Sequence, residues 1–169
     1  GKETHSSQTQ LGANAIMAAG QLIAELQRLA DRAREAAPAD SPFTPPYSTL
    51  SVGTIEGGHA LNIVPGSCRF VWECRTLPGD DPQAFVQALD RYARDTVLPR
   101  LHASAPEAAI ATTRRAGVTA LAPETGPQAA AEGVPPARRG QAEALARQLT
   151  GTNRTEAVSY ATEGGIFQT

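Results

Sequence analysis

Phe70-Val71-Trp72-Glu73-Cys74-Arg75 decides the reading of this chain. Phe70, Trp72 and Cys74 alternate with Arg69, Glu73 and Arg75, and an alternation of period two predicts a half-buried strand. Just upstream, Thr49 to Glu56 carries Leu50 and Val52 on one side and reads as a second strand, closed by Gly57-Gly58 as a turn. Between the two, Ala60 to Cys74 is strand-like on both sides of Pro65-Gly66.

Helices flank these strands. Upstream, Ile16, Ala19, Ile23, Leu26, Ala30 and Ala33 recur every three or four residues, which predicts a helix over about 13–37 with those residues inward. Gln21, Glu25, Arg28, Arg32 and Glu35 mark the opposite face, and Pro38 closes the element. Residues 38–48 hold four prolines and read as an extended connection. Downstream, Asp80-Asp81-Pro82 opens a second helix with the apolar stripe Phe85, Leu89, Tyr92 and Ala93, expected to end before Pro99. A last strand is expected over 108–115. The order is (β)-α-β-β-α-β, an α+β class with the ferredoxin-like split βαβ pattern and a truncated first strand at residues 1–12. Residues 117–136, rich in Ala, Gly, Pro and Thr, read as a linker. A helix over 137–149, with Ala142, Leu145, Ala146 and Leu149 on one face, and a strand over 156–160 complete the pattern.

The 169 residues carry 15 Lys and Arg against 17 Asp and Glu, a net charge of -2. No basic surplus exists to neutralise phosphates, so no nucleic-acid partner is expected. No apolar run nears the ~20 residues that span a bilayer, so no membrane association is expected. Cys68 and Cys74, on one strand, sit roughly 20 Å apart at ~3.3 Å per residue, too far to bridge. Two free thiols fit a reducing, cytoplasmic setting.

Several residues invite a functional reading beside a plainer one. His5, in Thr4-His5-Ser6-Ser7, could donate to a developing oxyanion or be an ordinary loop histidine. Asn62, among apolar strand residues, could contact a ligand or tie down a turn. Arg75 could clamp a carboxylate or pair with Glu73. Thr162-Glu163-Gly164-Gly165 could bring backbone amides close to a ligand or form a simple turn. No His, Asp and Glu grouping has metal-ligand spacing, and neither a nucleophile elbow nor a phosphate loop is present.

The order of these stretches adds a resemblance. Gly1-Lys2-Glu3-Thr4-His5-Ser6-Ser7, then Gly12-Ala13-Asn14-Ala15-Ile16, resembles the opening of the lid domain of the acetylornithine deacetylase, succinyl-diaminopimelate desuccinylase, aminoacylase and glutamate carboxypeptidase family. Leu50 to Gly58 followed by Ala60-Leu61-Asn62-Ile63-Val64-Pro65, the arginine of Glu73-Cys74-Arg75, Leu77-Pro78-Gly79, and Val158 to Gln168 resemble that family in the same order. Ala161 and Gly164 replace the more usual glycine and alanine of the last segment.

The resemblance implies a lid (dimerisation) domain over residues 1–115, then a linker and catalytic-domain fragment over 116–169. It implies a parent enzyme that uses two zinc or cobalt ions, with ligands outside this chain, to deacylate N-acyl amino acids. N2-acetyl-L-ornithine leads as substrate, in arginine biosynthesis. A desuccinylase, aminoacylase or dipeptidase is the alternative, as is a non-catalytic ferredoxin-like dimerisation module. His5 would reach the partner subunit's active site in a homodimer and stabilise the oxyanion. Asn62 and Arg75 would contact substrate, as would Thr162, Glu163, Gly164 and Gly165. The termini look like cuts, and because the metal ligands and the general base that the resemblance implies lie outside this chain, the chain alone is expected to be inactive.

Overall fold

The computed structural model describes residues 1–118 and 141–151. In chain order the elements are β1 (Thr4–His5), a 3-10 helix (Ser6–Leu11), α1 (Ala15–Glu35), β2 (Thr49–Gly57), β3 (Ile63–Val64) and β4 (Cys68–Arg75). There follow α2 (Pro82–Tyr92), a π-helical turn (Ala93–Val97), α3 (Leu98–His102) and α4 (Gln141–Thr150). The chain divides into two compact units. The first holds Gly1–Glu35, Thr49–Cys74 and Pro82–Thr113; the second holds Ala36–Ser48, Arg75–Asp81 and Arg114–Thr169.

Within the first unit, α1 starts where Asn14 caps it: the Asn14 side-chain oxygen accepts the Met17 amide at 3.0 Å. Such a cap satisfies a donor the first turn leaves open. The buried residues of α1 are Ala15, Ala18, Ala19, Leu22, Leu26 and Leu29. This face is rotated from the expected one. Leu22 and Leu29 go inward, whereas Ile16, Ile23 and Ala30 sit half-buried at its margins. The alanines let the backbone approach its neighbours, and the three leucines then supply the apolar bulk.

α1 packs on β2 and on α2. Strands β2 and β4 form one two-stranded sheet. Gly57 at the end of β2 lies against Cys68 at the start of β4, with no room for a Cβ. Glu56 bonds Arg69 at 3.1 Å in the same place. Leu50 and Val52 of β2, with Phe70 and Trp72 of β4, pack on the helical core of Leu22, Leu26, Leu29, Leu89, Ala93, Val97 and Leu101. The period-two pattern therefore placed the covered sheet face correctly. Cys68 and Cys74 both lie in β4 as free thiols, and burial pushes the Cys68 thiol above its ordinary range.

The second helical stretch does not stop before Pro99. The Leu98 amide donates to the Ala93 carbonyl, the i to i+5 bond of a π turn, and α3 continues with Pro99 in its first turn. A proline lacks an amide hydrogen and crowds the preceding turn. Widening that turn to five-residue spacing lets the helix pass the proline. A second departure concerns 108–115. No strand forms there, although Ala108 is buried and Ile110 packs on the core. The segment runs instead against α2, where the Thr112 hydroxyl donates to Asp90 at 2.7 Å, and among the described residues β2 and β4 pair only with each other. The α+β class holds.

Within the second unit, Ser48 is buried. Its hydroxyl donates to Asp80 at 2.5 Å and accepts the Leu77 amide at 2.9 Å. This pins the proline-rich connection to the stretch after β4. α4 closes with Gly151 at φ +67, whose amide donates to the Arg147 carbonyl at 2.9 Å. Left-handed backbone of this kind suits glycine. The linker over 117–136, save its first two residues, the strand expected over 156–160 and the Thr162–Gly165 loop lie outside the described residues.

Candidate functional site

A four-residue clasp carries two of the residues singled out from the sequence. β1 runs antiparallel to β3, with Thr4 opposite Val64 and His5 opposite Ile63. The pairing extends one step further, because the Ser6 amide donates to the Asn62 carbonyl at 2.9 Å. His5 and Asn62 thus sit one residue apart across the pair, and both are exposed. A second tie anchors the clasp: Lys2 and Ala13 exchange backbone hydrogen bonds at 2.9 Å each.

Glycine makes the clasp possible. A Cβ on Gly12 would stand 2.5 Å from Thr4 Cγ2, 3.0 Å from the Lys2 carbonyl and 3.2 Å from Val64 Cγ1. Its φ of −111° is ordinary, so the demand is for space rather than for a special backbone. The Gly12 carbonyl also accepts the Ser104 hydroxyl at 2.6 Å. Buried Val64, Gly12 and Ala13 sit beneath the exposed edge.

His5 is the N-terminal cap of the 3-10 helix, in extended conformation at φ −63° and ψ 140°. Its Nδ1 accepts the Ser7 amide hydrogen at 3.2 Å and lies 2.8 Å from the Ser7 hydroxyl. A capping histidine is uncommon, since Ser, Thr, Asp and Asn usually serve. Ser7 was not singled out in the sequence, although its place two residues past the histidine is the spacing of a local side-chain to backbone bond. Nearby, His59 Nδ1 and Glu3 meet at 3.5 Å. Both are exposed, so this contact is worth about 0–1 kcal/mol.

Arg75 is exposed at the end of β4 and engaged by a neighbouring group. It belongs to the second compact unit, whereas His5 and Asn62 belong to the first. Thr162, Glu163, Gly164 and Gly165 lie outside the described residues. Among the described residues no three His, Cys, Asp or Glu side chains gather where a metal ion could bind. No described helix is long and apolar enough to cross a membrane.

A layer of helices on a small sheet, with a polar clasp that exposes His5 and Asn62, defines an α+β module. Residues 1–100 match the peptidase dimerisation domain family, and the chain belongs to that family. An acetylornithine deacetylase from Myxococcus xanthus is 43% identical over 98 residues, which is 57% of this chain and 25% of that protein. Acetylornithine deacetylases from Klebsiella pneumoniae and Proteus mirabilis are 37% and 36% identical, over 47% and 59% of this chain and 20% and 24% of their own lengths. The matched stretch thus spans a quarter or less of these curated relatives. Enzymes of the wider peptidase family generally use divalent metals.

Proposed function

We propose that this chain is the dimerisation (lid) domain, residues 1–115, and a catalytic-domain fragment, residues 116–169, of a metal-dependent amidohydrolase. The reaction is deacylation of an N-acyl amino acid. N2-acetyl-L-ornithine, giving L-ornithine and acetate, is the favoured substrate because the relatives carry that name. The observation that carries the catalytic part of the reading is the state of His5. Its Nδ1 is occupied by Ser7 and its ring is exposed, so Nε2–H is free to donate outward. A hydrogen bond to the charge that develops on an amide oxygen in hydrolysis strengthens toward the transition state and accelerates the chemical step.

In this reading two copies pair through the lid in a homodimer, each lending His5 to the other's reaction centre. Asn62 contacts substrate beside it, and Arg75 takes a carboxylate in a bidentate fork. Thr162, Glu163, Gly164 and Gly165 complete the substrate contacts. The two zinc or cobalt ions are held by residues outside this chain, and the setting is cytoplasmic. The ferredoxin-like split arrangement is proposed for the complete lid. The 169 residues alone are inactive.

The test is N2-acetylornithine hydrolysis by the complete enzyme, wild type against His5→Ala. The expected outcome is a loss of turnover of about 10²–10³ with metal content and dimer unchanged. Undiminished turnover in His5→Ala would remove His5 from the chemistry, and no hydrolysis by the complete wild-type protein would favour a non-catalytic dimerisation module. Desuccinylase, aminoacylase or dipeptidase activity exceeding deacetylation would change the substrate and leave the site in place.

A further inference from the structure

We propose that Ser7 is a positioning residue that decides which nitrogen of His5 carries the proton. A neutral imidazole has one N–H and one ring nitrogen with a lone pair. A backbone amide can only donate, and the Ser7 amide points at Nδ1 at 3.2 Å. Nδ1 therefore holds the lone pair, and Nε2 holds the hydrogen. The Ser7 hydroxyl lies closer to the same nitrogen, at 2.8 Å, and in this tautomer it donates the shorter of the two bonds, so removing it leaves only the longer amide contact and weakens the preference.

The opposite tautomer is opposed by geometry. It would set the Nδ1 hydrogen against the Ser7 amide hydrogen and turn a lone pair outward at Nε2. A lone pair facing a developing oxyanion repels it, where an N–H stabilises it. In hydrolases whose histidine depends on an orienting partner, the wrong tautomer lowers turnover by orders of magnitude. In those enzymes a buried carboxylate serves. Here both donors belong to one residue in the first turn of the 3-10 helix. The clasp keeps them there, because the neighbouring Ser6 amide is fixed to the Asn62 carbonyl at 2.9 Å.

This inference rests on His5 being the oxyanion donor, but its central measurement does not require turnover. The full chain has three histidines, so a long-range 1H–15N spectrum of histidine-labelled protein reads the tautomer of each, and His5→Gln identifies the His5 signals. The expected result is Nε2–H for His5 in the wild type, and in Ser7→Ala a measurable fraction of Nδ1–H. In the complete enzyme Ser7→Ala lowers kcat about tenfold, the scale of one hydrogen bond, with KM within about twofold. Ser7→Thr, which keeps amide and hydroxyl, restores both the tautomer and kcat.

Wild-type His5 in the Nδ1–H form would overturn the proposal. So would Ser7→Ala with an unshifted tautomer, whether its kcat fell or not, because the loss would then have another cause. Turnover unaffected by His5→Ala fails the oxyanion reading separately, and the tautomer spectrum tells the two failures apart.

Discussion

The two small sheets of this chain are built on opposite principles. β2 and β4 bury Leu50, Val52, Phe70 and Trp72 against helices, so that sheet is held mainly by apolar area removed from water. β1 and β3 contribute two residues each, and backbone hydrogen bonds with a tight glycine contact hold them. Only Val64 of the four is buried. The first sheet tolerates polar change on its outer face and little on its inner one. The second has almost no inner face, so its polar residues are available to other molecules. Together they give a body that holds its shape and an edge that offers side chains.

Leu26→Ala attacks the body. Leu26 is 3% exposed, and emptying such a site destabilises by about 2–5 kcal/mol. The denaturant midpoint should fall accordingly, and amide protection should be lost in α1 and in the clasp together, since the clasp has no core of its own. Gly12→Ala attacks the edge. The added methyl collides with Thr4 and the Lys2 carbonyl, and overpacking of this kind costs about 1–3 kcal/mol. Hydrogen exchange should accelerate at Lys2, Ser6 and Ala13 while Leu22 to Leu29 keep their protection. Equal loss in both places would mean that clasp and body are one cooperative unit.

Asn14→Ala lies at the junction and should cost about 1 kcal/mol, the usual worth of a helix cap, with exchange rising at the Met17 amide. The smallest expected effect concerns Cys68. Burial raises its thiol pKa, so between the unfolded and folded values the native state holds the extra proton. That contribution to stability is complete below the unfolded pKa and is lost as pH rises through the folded one. Alkylation of Cys68 should accordingly set in at higher pH than that of a free cysteine peptide. A profile matching the peptide would show that the strand edge leaves the thiol fully solvated.

The body was legible in the sequence because its residues obey simple periods. Phe70 and Trp72 alternate, and Leu89 and Ala93 fall four apart, so burial followed from spacing. Spacing misleads where two rules compete. Alanines in α1 fit either helical margin, and the leucines at 22 and 29 decided which margin turned inward. Pro99 reads as a stop until the π turn before it supplies the room. The stretch 108–115 has strand-like composition, but its contacts are made with the helical core and Asp90 of α2, which composition does not reveal. The edge was legible only in part. His5 and Asn62 stood out as polar residues in unexpected places, yet their adjacency joins positions far apart in the chain. Ser7 and Gly12 matter through a hydrogen bond and a missing Cβ, and no periodicity marks either.

The register of the clasp also bears on the order in which the molecule assembles. Thr4 meets Val64 only after the helix, the proline-rich connection and β2 between them have been threaded into place. Closing so long a loop costs more chain entropy than forming any turn of α1, and the four residues that close it return few apolar contacts. In refolding, α1 and the sheet it covers are therefore expected to form first, and the clasp to dock afterwards with φ-values near zero. The histidine would then reach its place opposite Ile63 as the last event of folding, after the shape of the domain is already set.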